Sequence, residues 1–310
     1  RRSDRTREGR APVSDSPDVT GLAELERRVD RALSAGDESG IEVLGYGEIS
    51  CVLAWHDGDN AFAAKRLPLF DTSSRFEAYR EAFDSYLRAL AKTGIKVVTS
   101  RLESTPSADG RIAAWCLQPL LDSPALAPTW LRQGDEEYAG WLFEQIAGHV
   151  VTTVGPGLGL DGQLSNWAVV EKNVLYFDVT TPMMRDDRGR EALDTELFLA
   201  SLPWTLRGLV RRFMLHSILD KYYSPRGVLV DLLGNLIKEG ISETLPIGLE
   251  VVNAVIEPAI DETEVRRYCR EDAGMWALLQ RLRRIDRAWQ RHVRRRQYPF
   301  LLPGKVERHV

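Results

Sequence analysis

The sequence predicts an α+β fold in two lobes: a β-rich first third carrying one helix, then a mainly helical remainder with one embedded β-hairpin. Three observations carry this. Short apolar runs of strand length crowd the stretch 41–117. From Asp194 onward apolar residues recur at helical spacing, and between those regions only the segment Asp161–Asp178 reads as a further hairpin. At 310 residues the chain has ample length for a large core, and its 44% hydrophobic and 28% charged fractions are those of an ordinary globular protein. A formal net charge of -4 gives no global reason to expect nucleic acid or a membrane as partner. No apolar run approaches the ~18–20 residues that span a bilayer. The Arg- and Asp-rich start has no apolar core of a secretory signal. Cys51, Cys116 and Cys269 are odd in number and widely spaced, which predicts reduced, buried thiols in a cytoplasmic protein rather than disulfides or a zinc site.

Residues 1–20 have few apolar positions and read as a flexible tail. Leu22, Leu25, Val29 and Leu33 follow at helical spacing. Three strands are then expected, Ile41–Leu44, Ser50–His56 and Ala61–Leu67, the last two joined by the turn His56–Asn60. Phe76 to Lys92 reads as a helix ended by Thr93-Gly94. Strands Val97–Leu102 and Arg111–Leu117 come next, around the polar turn Ser107–Gly110. Gln118-Pro119 breaks the sheet pattern, so the N-terminal lobe is placed at 21–119 and the C-terminal lobe at 120–310. In the second lobe, helices are expected over Tyr138–Val151, Leu197–Tyr223, Gly227–Ile237 and Glu262–Arg296.

The residues that carry chemistry are spread over both lobes. Asp161 and Asn166 lie five apart in a loop, and the runs Trp167–Glu171 and Val174–Phe177 flank the turn-prone pair Lys172-Asn173. A hairpin of that length returns Asp178 beside Asn166, and three oxygen-bearing side chains converge as a hard cation such as magnesium requires. In the first lobe, the glycines of Gly45-Tyr-Gly47-Glu-Ile-Ser50 let backbone N–H groups approach phosphate oxygens, or simply serve a hairpin turn. Lys65 sits in the otherwise apolar strand end Ala63–Leu67. Glu77 and Glu81 on the following helix are both candidates to pair with it; Glu81 is preferred because it precedes the packing positions Phe83, Leu87 and Leu90.

The order glycine-rich turn, strand lysine, helix glutamate, proline-containing link, Asp-x-x-x-x-Asn loop, hairpin and terminal Asp resembles the protein-kinase-like superfamily. The small-molecule phosphotransferases, such as the aminoglycoside and choline kinases, are the nearest branch. The resemblance runs from about Ile41 to Pro182. It implies a bilobal fold, ATP and Mg2+ as cofactors, and a small-molecule acceptor. Gly45, Gly47 and Ser50 would cover the ATP phosphates, and Lys65, held by Glu81, would contact the α- and β-phosphates. Gln118 to Leu121, Leu120 among them, would form an adenine hinge through backbone groups. Asp161 would accept or orient the proton of the acceptor hydroxyl, while Asn166 and Asp178 would hold magnesium.

The chain departs from that pattern at two places. Gly159-Leu160 stands where kinases place His-Arg or His-Gly, and Val179-Thr180 replaces the usual aromatic-glycine pair after the terminal Asp. A nucleotide-binding pseudokinase or scaffold is therefore the alternative to an active phosphotransferase, and nucleotidylation is a third. No Ala-Pro-Glu-like element and no long activation segment follow Asp178, which argues for a small acceptor; Thr180-Thr181-Pro182 and Arg185 are candidates to line its pocket. The arginines 281, 283, 284, 287, 291 and 294–296 are read as a solvated face opposite the apolar side Met275, Leu278, Leu279, Leu282, Ile285 and Trp289. His149 and His216 are read as packed within helices, and Gly155–Gly159 as a connection. Oligomeric state has no signature in the sequence.

Overall fold

Alternation along three strands sorts the first lobe into two faces. In the computed structural model, which describes residues 19–35, 37–46, 50–199, 207–208 and 219–293, helix α1 (Val19–Ala35) precedes strands β1 (Val43–Tyr46), β2 (Cys51–Asp57) and β3 (Asn60–Arg66). Helix α2 (Ser73–Lys92) separates these from β4 (Lys96–Val97), β5 (Arg101–Pro106) and β6 (Ile112–Pro119). Five strands form an antiparallel sheet in the order β1-β2-β3-β6-β5. Cys51, Leu53 and Trp55 of β2, Ala64 of β3 and Trp115 and Leu117 of β6 face α1, where Leu22, Leu25, Val29 and Leu33 complete a small core. The other face of the sheet packs on α2 through Leu102, Ala114 and Cys116. One polar pair lies within the α1 layer: Arg66 donates from Nε (2.9 Å) and Nη2 (2.6 Å) to Glu26, both buried.

The second lobe holds α3 (Ala127–Gln133), α4 (Glu136–Thr153), the hairpin strands β7 (Trp167–Val170) and β8 (Asn173–Tyr176), and the short α5 (Glu196–Leu199). Helices α6 (Pro225–Lys238), α7 (Leu245–Asn253) and α8 (Glu262–His292) follow. The fold is thus α+β, with the antiparallel sheet first and the helices after, in the order the kinase-like resemblance implies. Caps explain where helices begin. The Thr72 side chain accepts from Arg75 N at the start of α2, and that of Asp135 from Tyr138 N at the start of α4, each relieving one otherwise unpaired N–H. Gly94, at φ 90°, ends the α2 region.

Several boundaries differ from those expected. The strand expected over Val97–Leu102 is split: Lys96 and Val97 instead pair in parallel with Leu175 and Tyr176 of β8, tying the residues just after α2 to the hairpin. Parallel pairing leaves no trace in local alternation, so a two-residue strand of this kind is invisible to it. The β7–β8 turn is centred on Glu171 and Lys172, both at positive φ (50° and 64°), one residue earlier than expected, with Val170 opposite Asn173. Both central residues of such a two-residue turn must be left-handed. Within the expected helix Leu197–Tyr223, the described residues show α5, helical 207–208 and 219–220, and a 3-10 turn at Lys221–Tyr223. His216 lies outside the described residues, while His149 stacks on Trp167 at 5.9 Å, a packed histidine as expected. Cys51, Cys116 and Cys269 are all free and buried. No helix among the described residues is long and apolar enough to cross a membrane.

Helix α8 departs most from its expected orientation. Its buried side chains include Gln280, Arg283 and Asp286, while Met275, Leu278, Ile285 and Trp289 are exposed. Of the expected apolar side, these four face outward and Leu279 and Leu282 are half-buried, while of the expected solvated arginines 281 and 284 are exposed and 283 is not.

Candidate functional site

The register of the sheet sets one wall of the site. Val52 pairs with Lys65 and Lys65 with Cys116; Ala54 pairs with Ala63 and Ala63 with Gln118. Directly paired residues share a face. These side chains therefore stand on the sheet face away from α1, and all but Lys65 and Gln118 are small or apolar.

The opposite wall is the Asp161–Asp178 segment. Trp167 pairs with Tyr176, which brings the Phe177 N–H onto the Asn166 carbonyl at 3.1 Å and so returns Asp178 alongside Asn166. Asn166 donates from Nδ2 to the Asp161 carbonyl at 3.0 Å, and the Asp161 carboxylate accepts from Gln163 N at 3.3 Å. Gly162 is pressed onto α6: a Cβ there would lie 2.4 Å from Val228 Cγ1, so no larger residue fits without moving the loop. The Trp167 indole, fully buried, donates to the Gly162 carbonyl.

The two walls meet through an ion pair. Lys65 Nζ lies 2.8 Å from Asp178 Oδ1, joining residues 113 apart in sequence. Thr180 Oγ1 donates to the same oxygen at 3.2 Å. Burial pushes the Asp178 carboxyl up, but the Lys65 charge and hydrogen bond, with the side-chain and backbone hydrogen bonds of Thr180, outweigh it and hold the group below the usual carboxylate range. Asp161 goes the other way. Burial, then the negative charges of Asp231 and Asp178, push it up to about 7, against a smaller opposing effect of Lys221. The two carboxylates of one loop are therefore set apart by their surroundings.

The structure brings together Lys65, Asp161, Asn166 and Asp178 and leaves other expected residues aside. Glu81 is exposed on α2 and Lys65 takes Asp178 as its partner instead. The reason is helical geometry: α2 turns Phe76, Tyr79, Phe83, Tyr86 and Leu90 inward, and position 81, like 77, falls on the opposite face. Gly45 lies in β1 at a bulge, paired with Val52, rather than in the turn; Ser50 is half-buried at the start of β2; Gly47 lies outside the described residues. The hinge is also changed. Strand β6 continues to Pro119, the Leu120 N–H donates to the Ala61 carbonyl, and the Gln118 side chain donates to Ser100 Oγ and the Phe177 carbonyl. Arg185 does not face an open pocket. It pairs with Glu191 at 2.7 Å, lies 2.8 Å from Asp220, and its guanidinium stacks 3.8 Å above the Tyr223 ring. Thr181 and Pro182 border a cavity of about 10 Å3, room for roughly one water.

Three residues were not read from the sequence. Tyr79 donates to the Thr180 carbonyl (2.8 Å) and Tyr86 to that of Gly159 (3.1 Å), so α2 grips the segment on both sides of the hairpin. Two tyrosines on an apolar helical stripe are the available signal, because a buried phenol needs a partner. Behind the loop, Asp231 of α6 is buried and accepts from Gln163 Nε2 (3.1 Å), Lys221 and Lys238 (3.3 Å each) and the Tyr268 hydroxyl (2.7 Å). Lys238 also pairs with Asp272 at 2.9 Å. Burial would raise the Asp231 carboxyl, but the two lysines and the hydrogen bonds keep it low, and it remains charged. An aspartate midway along an apolar helix was its only sequence mark.

Two oxygen-bearing side chains flank the hairpin: the Asn166 amide, whose nitrogen is spent on the Asp161 carbonyl, and the Asp178 carboxylate, whose Oδ1 already accepts from Lys65 and Thr180. No cluster of three or more His, Cys, Asp or Glu side chains suited to a metal occurs among the described residues, so a cation here needs further oxygens from its ligand, as phosphates supply.

The chain belongs to a family of unknown function (DUF6206), matched over residues 24–287. No curated protein matches it. Among solved structures it is similar to a chain described as "WaaP in complex with acyl carrier protein", at 13% identity and a TM-score of 0.40, over 87% of this chain and 97% of that one. That likeness is too loose to bear on the chemistry.

Proposed function

We propose that this member of the family is an ATP- and magnesium-dependent phosphotransferase acting on a hydroxyl of a small polar compound. The observation that supports it most is the ion pair between the two walls, Lys65 to Asp178, with Asn166 and Asp161 held in the same loop. In this reading Lys65 binds the phosphates, Gly45 and Ser50 lie over them, and Asn166 and Asp178 hold the cation, which spreads the charge of the transferring group. The small face formed by Val52, Ala54 and Ala63 receives the base. Asp161 takes the proton of the acceptor hydroxyl; a carboxylate near 7 suits that task at neutral pH. Pro119 marks the link between a nucleotide-binding lobe (21–119) and an acceptor-binding lobe (120–310).

A second reading, a nucleotide-binding protein without transfer, is favoured by two details. The Leu120 N–H is already bonded to Ala61, and no α2 glutamate steadies Lys65. Incubation with ATP, Mg2+ and a panel of hydroxyl compounds, read by mass spectrometry, tests both. One added phosphoryl group, lost in Asp161→Ala, supports the first reading. Tight, Mg2+-dependent nucleotide binding with no product across the panel supports the second, and a nucleotidyl adduct replaces both.

A further inference from the structure

One amide on the sheet wall is fixed in orientation by its neighbours. The Gln118 side chain donates from Nε2 to the Phe177 carbonyl at 2.8 Å and to Ser100 Oγ at 2.9 Å. A carbonyl oxygen can only accept, and the Ser100 hydroxyl spends its own proton on the Val98 carbonyl at 2.6 Å. Both neighbours therefore demand a donor, which assigns the amide nitrogen to their side and turns the amide oxygen away from them. Both amide protons are spent. Among the described residues nothing donates to Gln118 Oε1, and that oxygen is not sealed in the core.

The place of this residue on the sheet says what meets that oxygen. Gln118 pairs with Ala63 and Ala63 with Ala54, so the three form one row across β6, β3 and β2. Val52, Lys65 and Cys116 form the next row, about 7 Å away at the rise of a strand. Ala54, Ala63 and Gln118 are half-buried, whereas Leu53 and Ala64 on the reverse face are fully buried. A flat base laid on the two alanines, with its phosphates toward Lys65, meets Gln118 as the one polar side chain of its row. Of the backbone donors just past Gln118, Pro119 has none and the Leu120 N–H is held by the Ala61 carbonyl. We infer that Gln118 Oε1 reads the base of the nucleotide, accepting a hydrogen bond from the exocyclic amine of adenine and turning guanine away. Adenine carries a donor where guanine carries an acceptor, so the oxygen that bonds one repels the other. The inference rests on the nucleotide-binding reading above and adds to it a choice of base made by a side chain.

Calorimetry of the full chain with the Mg2+ complexes of ATP, ITP and GTP tests it. The base of ITP carries guanine's oxygen without guanine's extra amino group, and lacks the amine of adenine. ATP should bind at least about tenfold more tightly than either, because a base whose oxygen faces Gln118 loses the bond and leaves the amide oxygen unpaired. Gln118→Met keeps the length of the side chain without the amide. It should lower ATP affinity about tenfold and leave ITP and GTP within about threefold of the parent. Equal affinity of the parent for ATP and ITP overturns the inference and leaves the nucleotide site standing, since weak GTP alone reports crowding against its extra amine. Equal weakening of all three nucleotides in Gln118→Met also overturns it, and makes the side chain a strut for the Phe177 carbonyl beside Asp178. Binding of none of the three to a parent that melts cooperatively overturns the inference and the nucleotide-binding reading together. The comparison in the parent decides whether or not the variant folds.

Discussion

The two walls of the candidate site are built to different degrees. The Asp161–Asp178 wall is held from three directions: α2 through Tyr79 and Tyr86, α6 through Gly162 and Asp231, and the hairpin through its register. The sheet wall offers small side chains and a single charged group, Lys65, which is steadied by reaching across to Asp178. Charge placement is thus preset on one side, whereas the other side contributes shape and one long-stemmed cation. In chemistry that depends on aiming fixed groups at developing charge, the preset wall should carry rate and the sheet wall affinity.

That division is open to attack. Replacing Asp161 by Asn should lower turnover by about a thousandfold or more while nucleotide affinity stays within about threefold, measured by steady-state kinetics and calorimetry. The same change has a signature in stability. Because folding raises the Asp161 pKa to about 7, its charged form opposes folding, and the fold loses stability as pH climbs from the ordinary carboxylate range through 7. Asp161→Asn should therefore be more stable than the parent at pH 8, by on the order of 4 kcal/mol, with the gain vanishing near pH ~4. Asp231→Ala should cost roughly 3–5 kcal/mol in a denaturant titration, because Lys221 loses its carboxylate and Lys238 keeps only Asp272. Tyr79→Phe should cost about 1 kcal/mol and slow turnover, since the Thr180 carbonyl loses its donor and Thr180 in turn bonds Asp178. Glu81→Gln should do almost nothing, within about 0.5 kcal/mol and without change in nucleotide affinity. A large loss of affinity there would mean that α2 rotates when nucleotide binds.

What could be read beforehand follows from the range of the signals. Strand alternation, the Asp-x-x-x-x-Asn loop and the β7–β8 hairpin are local, and each places its residues within a few positions. The carboxylate wall was therefore legible in outline, down to the return of Asp178 beside Asn166. Glu81 failed because two candidate glutamates were weighed by nearness to apolar residues rather than by angle around α2. The inward angle is taken by Tyr79, Phe83 and Tyr86, which leaves position 81 on the far side of the helix. Asp231 and Lys221 lie about seventy and sixty residues beyond Asp161, so no local pattern joins them. The α8 reading failed in part, for a different reason. Periodicity reveals that a helix has an apolar stripe, and says nothing of which way the stripe points.

The Glu26–Arg66 pair bears on where the protein can be cut. Arg66 ends the strand that carries Lys65, and its guanidinium is enclosed between sheet and α1 with Glu26 as its counter-charge. A shortened chain beginning after α1 would take the carboxylate from Arg66 and uncover the apolar sheet face of Leu53, Trp55, Trp115 and Leu117 around it. Helix α1 is thus not a segment that trimming can spare. It closes the electrical circuit of the sheet, one residue away from the lysine on which the candidate site depends.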